Sequence, residues 1–130
     1  MERCPPKILL VDDEPLAAML TEDMLAHLGF ACARLATRLD DAKRAALRER
    51  FDFAVLDVNL GGGQFVFPVA DILAARQIPF LFATGHGRAD IPSQYRNRPL
   101  LEKPFSAEEL AAAVGKIAPR KCGSAPAGRS

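Results

Sequence analysis

The chain has 130 residues with 17 basic and 16 acidic side chains, and this balance gives no electrostatic reason to expect nucleic acid as the main partner. No apolar run approaches the roughly 18 residues of a membrane span, and the start of the chain lacks the apolar core of a secretory signal. The cysteines, Cys4, Cys32 and Cys122, lack metal-ligand spacing and are odd in number, which favours free thiols in a reducing cytoplasm.

The first half of the chain predicts two strand–helix units. Residues 7–11 form an apolar strand, and Pro15 opens a helix that Gly29 ends. The buried stripe of that helix is predicted to hold Leu16, Leu20, Met24 and Leu28, widened by Met19 and Leu25. Residues 30–35 form a weaker second strand. Thr37 is predicted to cap a second helix that runs to about residue 50 and buries Ala42, Ala45, Ala46 and Leu47.

The second half repeats the alternation. Residues 53–57 are a short apolar run that ends in the carboxylate of Asp57, and a glycine-rich loop follows. A helix over residues 65–76 carries Pro68 in its first turn, and residues 78–84 and 99–103 form the last two strands. Ser106 and Glu109 are spaced as a capping box for the final helix. Residues 119–130 have the composition of a disordered tail.

Five strands that alternate with helices predict an α/β domain with a doubly wound, five-stranded parallel sheet. The chain shows no second domain and no internal repeat. A length of 130 residues fits a single domain with its own core. Residues 85–98, which contain Gly85, Gly87 and Pro92, leave room only for a short or irregular fourth helix.

Four of the five predicted strands end in, or are followed by, a residue with a carboxylate, hydroxyl or ammonium group. They are Asp12 with Asp13, Asp57, Thr84 and Lys103. Taken singly, the acids read as helix caps or strand-end charges, Thr84 as a loop hydroxyl and Lys103 as a surface charge. In a parallel sheet, however, these ends share one edge. Carboxylates crowded together are unfavourable unless a cation neutralises them, and hard oxygen ligands of this kind suit Mg²⁺. A metal ion beside a lysine can hold phosphoryl oxygens, and a carboxylate can then act as the nucleophile.

These residues resemble the receiver domain of two-component response regulators. The resemblance rests on residues 8–15, ILLVDDEP, on Asp57 with Asn59, on Thr84, and on Lys103 followed by Pro104 and Phe105. It covers residues 7–118 and implies a flavodoxin-like sheet with strand order 2-1-3-4-5. Residues 79–85, PFLFATG, are similar to the narrower PFxFATG subfamily, whose members are mostly stand-alone receivers.

The resemblance also implies roles for the individual residues. Asp57 accepts the phosphoryl group from a histidine kinase. Asp13, Asp57 and the carbonyl of Asn59 bind Mg²⁺ directly, and Asp12 acts through water. Lys103 pairs with one phosphoryl oxygen, Thr84 hydrogen-bonds another, and the Lys103–Pro104 peptide is expected to be cis. The chain would then be a cytoplasmic phosphoacceptor that signals through protein–protein contacts and catalyses only its own phosphorylation and slow dephosphorylation.

Several alternatives stay open at this point. The chain could serve as a phosphate sink or phosphorelay shuttle with no output of its own, fed by a sensor kinase or a histidine phosphotransfer protein. A phosphatase with an aspartyl nucleophile is disfavoured, because such enzymes carry Asp-x-Asp after the first strand and this chain has Asp12-Asp13. An interaction module that never turns over phosphate is disfavoured by the presence of every site residue.

One position departs from the family pattern. Typical receivers have an aromatic residue three positions before the lysine, and that ring moves inward together with the threonine. Here the position is Leu100, which has no ring to move inward. We expect residues 85–98 to carry the switch instead, since their apolar residues are few, mainly Ile91 and Tyr95. His86 either supplies the missing ring or is an exposed loop histidine.

Overall fold

The computed structural model of the chain describes residues 7–85 and 91–117, apart from the side chains of residues 31–33. Its strands are β1 (Lys7–Val11), β2 (Ala31–Ala36), β3 (Phe53–Asp57), β4 (Phe80–Thr84) and β5 (Leu100–Glu102). Its helices are α1 (Pro15–His27), α2 (Leu39–Arg48), α3 (Phe67–Ala75) and α4 (Ala107–Ile117), and a 3₁₀ turn spans Ser93–Tyr95.

The sheet is parallel and its strand order is β2-β1-β3-β4-β5, which confirms the predicted flavodoxin-like fold. Helices cover both faces, so β3 and β4 are buried along their whole length. One face packs on α2, α3 and the 3₁₀ turn through a cluster that includes Leu56, Phe80 and Phe82. The other face packs on α1 and α4 and includes Leu10 and Phe53.

The predicted buried stripe of helix α1 is wrong for three of its six residues, whereas Leu25 is buried and Met24 and Leu28 are partly buried against the core. Leu16, Met19 and Leu20 are 77%, 57% and 61% exposed, whereas Ala18, Thr21 and Leu25 face the sheet. Apolar residues occur all around this helix, so their spacing does not select a face. The small Ala18 lets the helix approach the sheet closely, and the Thr21 hydroxyl is satisfied by donating to the Ala17 carbonyl oxygen at 3.1 Å.

Helix α2 matches the prediction at its alanines but not elsewhere. Ala42, Ala45 and Ala46 are buried, whereas Leu47 is 61% exposed and was wrongly assigned to the core. The predicted cap at Thr37 is also wrong, because Arg38 takes the N-cap position without any side-chain hydrogen bond. A helix packed through alanines lies near the sheet, and the longer Leu47 side chain then extends into solvent.

Most other local predictions are confirmed. Gly29 follows α1 with φ of +93°, and Pro68 lies in the first turn of α3. The capping box of α4 has both of its hydrogen bonds, at 3.1 Å from the Glu109 amide to Ser106 Oγ and at 2.8 Å from the Ser106 amide to Glu109 Oε1. The Lys103–Pro104 peptide is cis.

The region between β4 and β5 is irregular where it is described, with only the 3₁₀ turn in residues 91–99, as expected. His86 and the tail at 119–130 lie outside the described residues, so the predictions made for them are not tested. None of the helices in residues 7–85 and 91–117 combines the length and apolarity that a membrane crossing requires.

Candidate functional site

Three carboxylates converge at the carboxyl edge of the sheet. Asp12 directly follows β1, Asp13 comes next, and Asp57 is the last residue of β3. One oxygen atom from each lies within 4.8 Å of the other two. The strands place them there because β1 and β3 are neighbours in register, with Val11 opposite Leu56. Asp12 and Asp57 are buried, at 3% and 8% exposure, and Asp13 is half-buried at the rim.

Lys103 follows β5, two strands away from β3, and its side chain extends to the three carboxylates. Its Nζ lies 3.2 Å from Asp12 Oδ2 and 3.5 Å from Asp57 Oδ2. The backbone fixes the lysine, since its amide donates to the Thr84 carbonyl oxygen at 2.8 Å just beyond the β4–β5 pairing. The ammonium group therefore lies beside the carboxylates of two different strands.

The electrostatics of the site favour binding of a cation. Burial raises the pKa of Asp57 to about 7, and the neighbouring Asp12 and Asp13 add to this rise, while Lys103 opposes it. Burial alone lowers the pKa of Lys103, but Asp57 and Asp12 outweigh it and the net pKa is raised, so the lysine stays charged. A single ammonium does not neutralise three crowded carboxylates, and a divalent cation would complete the charge balance.

Thr84 lies at the same carboxyl edge of the sheet. It is the last residue of β4, it is 2% exposed, and it pairs with Glu102 of β5. The Val58 amide donates to the Ala83 carbonyl oxygen at 2.9 Å, which ties the residue after Asp57 to the residue before Thr84. A backbone hydrogen bond therefore joins the ends of β3 and β4 beside the site.

The loop after β3 shapes the outer side of the site. Asn59 is exposed and its Oδ1 accepts a hydrogen bond from the Gly61 amide at 2.8 Å. Gly61 has φ of +80°, and a Cβ built on it would lie 3.0 Å from Asp13 Oδ2. Gly61 thus keeps space open beside a carboxylate, a role that the sequence analysis missed. The run of glycines directly after the Asp57 strand was the available signal.

All the residues that the sequence singled out occur at one edge of the sheet. Asp12, Asp13, Asp57 and Lys103 are brought into one cluster. Thr84 ends β4 at the same edge, and Asn59 lies two residues beyond β3. Oxygen ligands of this kind fit Mg²⁺, since it takes few protein carboxylates and keeps part of its water shell. A buried carboxylate next to a fixed ammonium is also suited to attack a phosphorus atom and to stabilise the transferred group.

Comparison with known proteins gives a consistent result. The sequence profile of the response regulator receiver domain matches residues 8–115. The sensory transduction protein LytR of Staphylococcus haemolyticus is 30% identical over 114 residues, which is 85% of this chain and 44% of that protein. The phyllosphere-induced regulator PhyR of Methylorubrum extorquens is 29% identical over 114 residues, 85% of this chain and 42% of its own length. The chain thus spans less than half the length of these curated relatives.

Two solved structures extend the likeness to the fold. The solution structure of SdrG from Sphingomonas melonis has a TM-score of 0.79 and 40% identity, and the match covers 89% of this chain and 98% of that one. The receiver domain of the sensor histidine kinase PA1611 from Pseudomonas aeruginosa, with a magnesium ion coordinated in its active-site cleft, has a TM-score of 0.74 and 27% identity, covering 87% and 97%.

Proposed function

The chain belongs to the response regulator receiver domain family, whose members are phosphoacceptors in two-component signalling, and on this premise we propose that Asp57 is the acceptor in this chain. The donor is the phosphohistidine of a sensor histidine kinase or of a histidine phosphotransfer protein. The observation that carries the proposal is the cluster itself, in which Lys103 Nζ lies 3.5 Å from Asp57 and the three carboxylates have oxygens within 4.8 Å.

The proposed reaction is an in-line transfer. An Asp57 oxygen attacks phosphorus, the bond from phosphorus to the histidine nitrogen breaks, and the nitrogen keeps the electron pair. Lys103 pairs with an equatorial phosphoryl oxygen and the Thr84 hydroxyl donates to another. Asp13, Asp57 and the Asn59 carbonyl would hold Mg²⁺, with Asp12 acting through water. When bound, Mg²⁺ supplies positive charge that keeps Asp57 ionised and neutralises the transferred group.

The surface beside the site suits a helical protein partner. Leu16, Met19 and Leu20 form an exposed apolar stripe on α1, and this helix begins two residues after Asp13. Exposed apolar side chains with helical spacing on one side of a reactive centre fit a partner that presents its own helix. We propose that the phosphodonor docks there and delivers its histidine to Asp57.

Incubation with acetyl phosphate and Mg²⁺ tests the acceptor directly. Intact-mass measurement is expected to show one added phosphoryl group on the wild-type chain and none on Asp57→Asn. The bond should be stable in acid and labile in base. Equal labelling of the two proteins would show that the acceptor is another residue.

A matched pair of variants tests the docking surface. Leu20 and Leu47 are both 61% exposed, but only Leu20 lies on the α1 stripe. Leu20→Glu is expected to slow transfer from the phosphorylated donor protein while leaving labelling by acetyl phosphate unchanged, because the small donor needs no docking. Leu47→Glu should leave both rates unchanged. Equal slowing by the two substitutions would place the partner elsewhere.

The output of the phosphorylated chain is proposed to be a protein–protein contact, as in the stand-alone PFxFATG receivers that residues 79–85 resemble. The alternative is a phosphate sink or shuttle without an output. Profiling phosphotransfer from the kinases of the source cell, in both directions, separates the two. A sink accepts phosphoryl groups and loses them without a phosphorylation-dependent partner, and a shuttle passes them on to a second histidine.

A further inference from the structure

A buried tyrosine links the segment after β4 to a helix on the same face of the sheet. Tyr95, the last residue of the 3₁₀ turn, is 5% exposed, and its hydroxyl donates a hydrogen bond to Asp71 in the middle of α3. The Asp71 side chain is otherwise exposed to solvent. Burial and the bond to Asp71 both raise the pKa of Tyr95, in keeping with a hydroxyl that holds its proton at neutral pH.

The Tyr95 ring is also in contact with the strand that ends at the active site. Its centroid lies 5.6 Å from that of Phe80 and 5.9 Å from that of Phe82. Phe82 is two residues before Thr84 on β4, so both side chains point to the same face of the sheet. Arg98, which follows the turn, places its guanidinium 4.2 Å from the Phe80 centroid. Tyr95 therefore joins β4, α3 and the 3₁₀ turn.

Leu100 lies beside Phe82 in the sheet and contributes no aromatic ring to this cluster. It pairs with Phe82 across the β4–β5 ladder and is only half-buried, and the Tyr95 ring packs on Phe82. The Asp71 carboxylate is at the surface, so water can replace the Tyr95 hydroxyl as its hydrogen-bond partner. Breaking this hydrogen bond therefore leaves no buried charge without a partner.

We propose that the Tyr95–Asp71 hydrogen bond is a latch that holds residues 91–98 against α3 in the unphosphorylated protein, and that it opens when Thr84 moves toward phosphorylated Asp57. The inference rests on the proposed function, since the opening signal is the phosphoryl group. Movement of Thr84 carries β4 and Phe82 with it, the ring contact at Tyr95 shifts, and the hydroxyl loses its alignment with Asp71. The face between α3 and the 3₁₀ turn then changes shape for a downstream partner.

The composition of the chain makes the latch directly observable. Tyr95 is the only tyrosine and there is no tryptophan, so intrinsic fluorescence reports on this ring alone. A carboxylate that accepts a hydrogen bond from the phenol hydroxyl quenches tyrosine emission. We expect weak emission from the resting protein, strong emission from Asp71→Ala, and a rise of the wild-type signal toward that of Asp71→Ala when beryllofluoride and Mg²⁺ are added.

Amide exchange and beryllofluoride affinity test the latch separately from the proposed phosphorylation of Asp57. In Asp71→Ala the amides of residues 93–98 should exchange faster, and beryllofluoride should bind up to about tenfold more tightly, because the ligand no longer works against the latch. Asp40→Ala, which removes an exposed carboxylate from α2, is the control and should match the wild type in all three readouts. Unchanged amide exchange in Asp71→Ala would overturn the latch whatever the ligand does.

Fluorine NMR of bound beryllofluoride distinguishes failure of the latch from failure of the proposed acceptor site. If the ligand binds the wild type but not Asp57→Asn, and Tyr95 emission stays constant, the proposed function survives and the latch is wrong. If the ligand does not bind at all, the proposed acceptor site fails and the latch loses its trigger.

Discussion

Replacing Asp57 by asparagine should stabilise the metal-free protein, and the gain should depend on pH. Burial and two neighbouring carboxylates raise the pKa of Asp57 from 3.8 to about 7 in the folded protein. One pH unit of pKa shift corresponds to 1.36 kcal/mol, so keeping the ionised carboxylate in the fold costs about 4 kcal/mol. That is a large share of the 5–15 kcal/mol typical of a domain.

The pH window follows from the two pKa values. Well below pH 3.8, Asp57 is protonated in both the folded and the unfolded chain and costs nothing. Between 3.8 and about 7 the unfolded chain releases the proton while the folded protein keeps it, so the wild type loses stability as pH rises. Above about pH 7 both states are ionised and the loss is complete. The gain from Asp57→Asn should therefore be about 1 kcal/mol at pH 4.5 and about 4 kcal/mol at pH 8.

Urea denaturation followed by circular dichroism measures this difference. Wild type, Asp57→Asn and the control Asp40→Asn are unfolded at pH 4.5, 6 and 8 in buffer with a chelator, and the midpoints and slopes give the free energies. Saturating Mg²⁺ should shrink the gain at pH 8, since the metal stabilises only the wild-type carboxylate. A gain at pH 8 below about 1 kcal/mol, or one that does not change with pH, would refute the electrostatic account of the site.

Three further outcomes are expected. Asp13→Ala should abolish Mg²⁺ binding by titration calorimetry and still fold, with metal-free stability equal to or above wild type because repulsion is relieved; unchanged Mg²⁺ affinity would place the metal elsewhere. Gly61→Ala should lower the free energy of unfolding by about 1–2 kcal/mol and weaken Mg²⁺ binding. Gly62 also has a positive φ but open space around its Cβ, so Gly62→Ala should show only the loss of stability. Removing residues 119–130 should shift the melting temperature by less than about 4 °C and leave the labelling rate unchanged, and a larger drop would mean that the tail packs on the domain.

The strands and their polar ends were predictable because buried parallel strands leave a strong trace in sequence. The run over residues 53–57 is apolar up to Asp57, and an isolated carboxylate has a place in such a strand only at its end. Strand ends in a parallel sheet share an edge, so Asp12, Asp57, Thr84 and Lys103 came together without any knowledge of side-chain positions. Their mutual distances and burial required coordinates.

The faces of the helices were not predictable in the same way. Helix α1 has apolar residues on every side, so spacing alone did not show that Leu16 and Leu20 face solvent while Ala18 faces the sheet with Leu25. Which of them faces the sheet depends on how closely the backbone approaches it, and that distance is set by small residues whose effect appears only in three dimensions. The bond between Tyr95 and Asp71, 24 positions apart in sequence, gave no local signal for the same reason.

The separation of the site residues along the chain has a consequence for biosynthesis. Lys103 lies beside Asp12 across 91 positions, and β5 is the last strand among the described residues to be synthesised. A nascent chain on the ribosome holds the acidic cluster long before it holds the lysine, so it is unable to form a competent acceptor until nearly the whole sheet has emerged. We expect products of interrupted translation that end before residue 103 to be unable to accept a phosphoryl group. The distribution of the reactive groups over four strands thus restricts the proposed phosphoryl transfer to molecules that have been completed through β5.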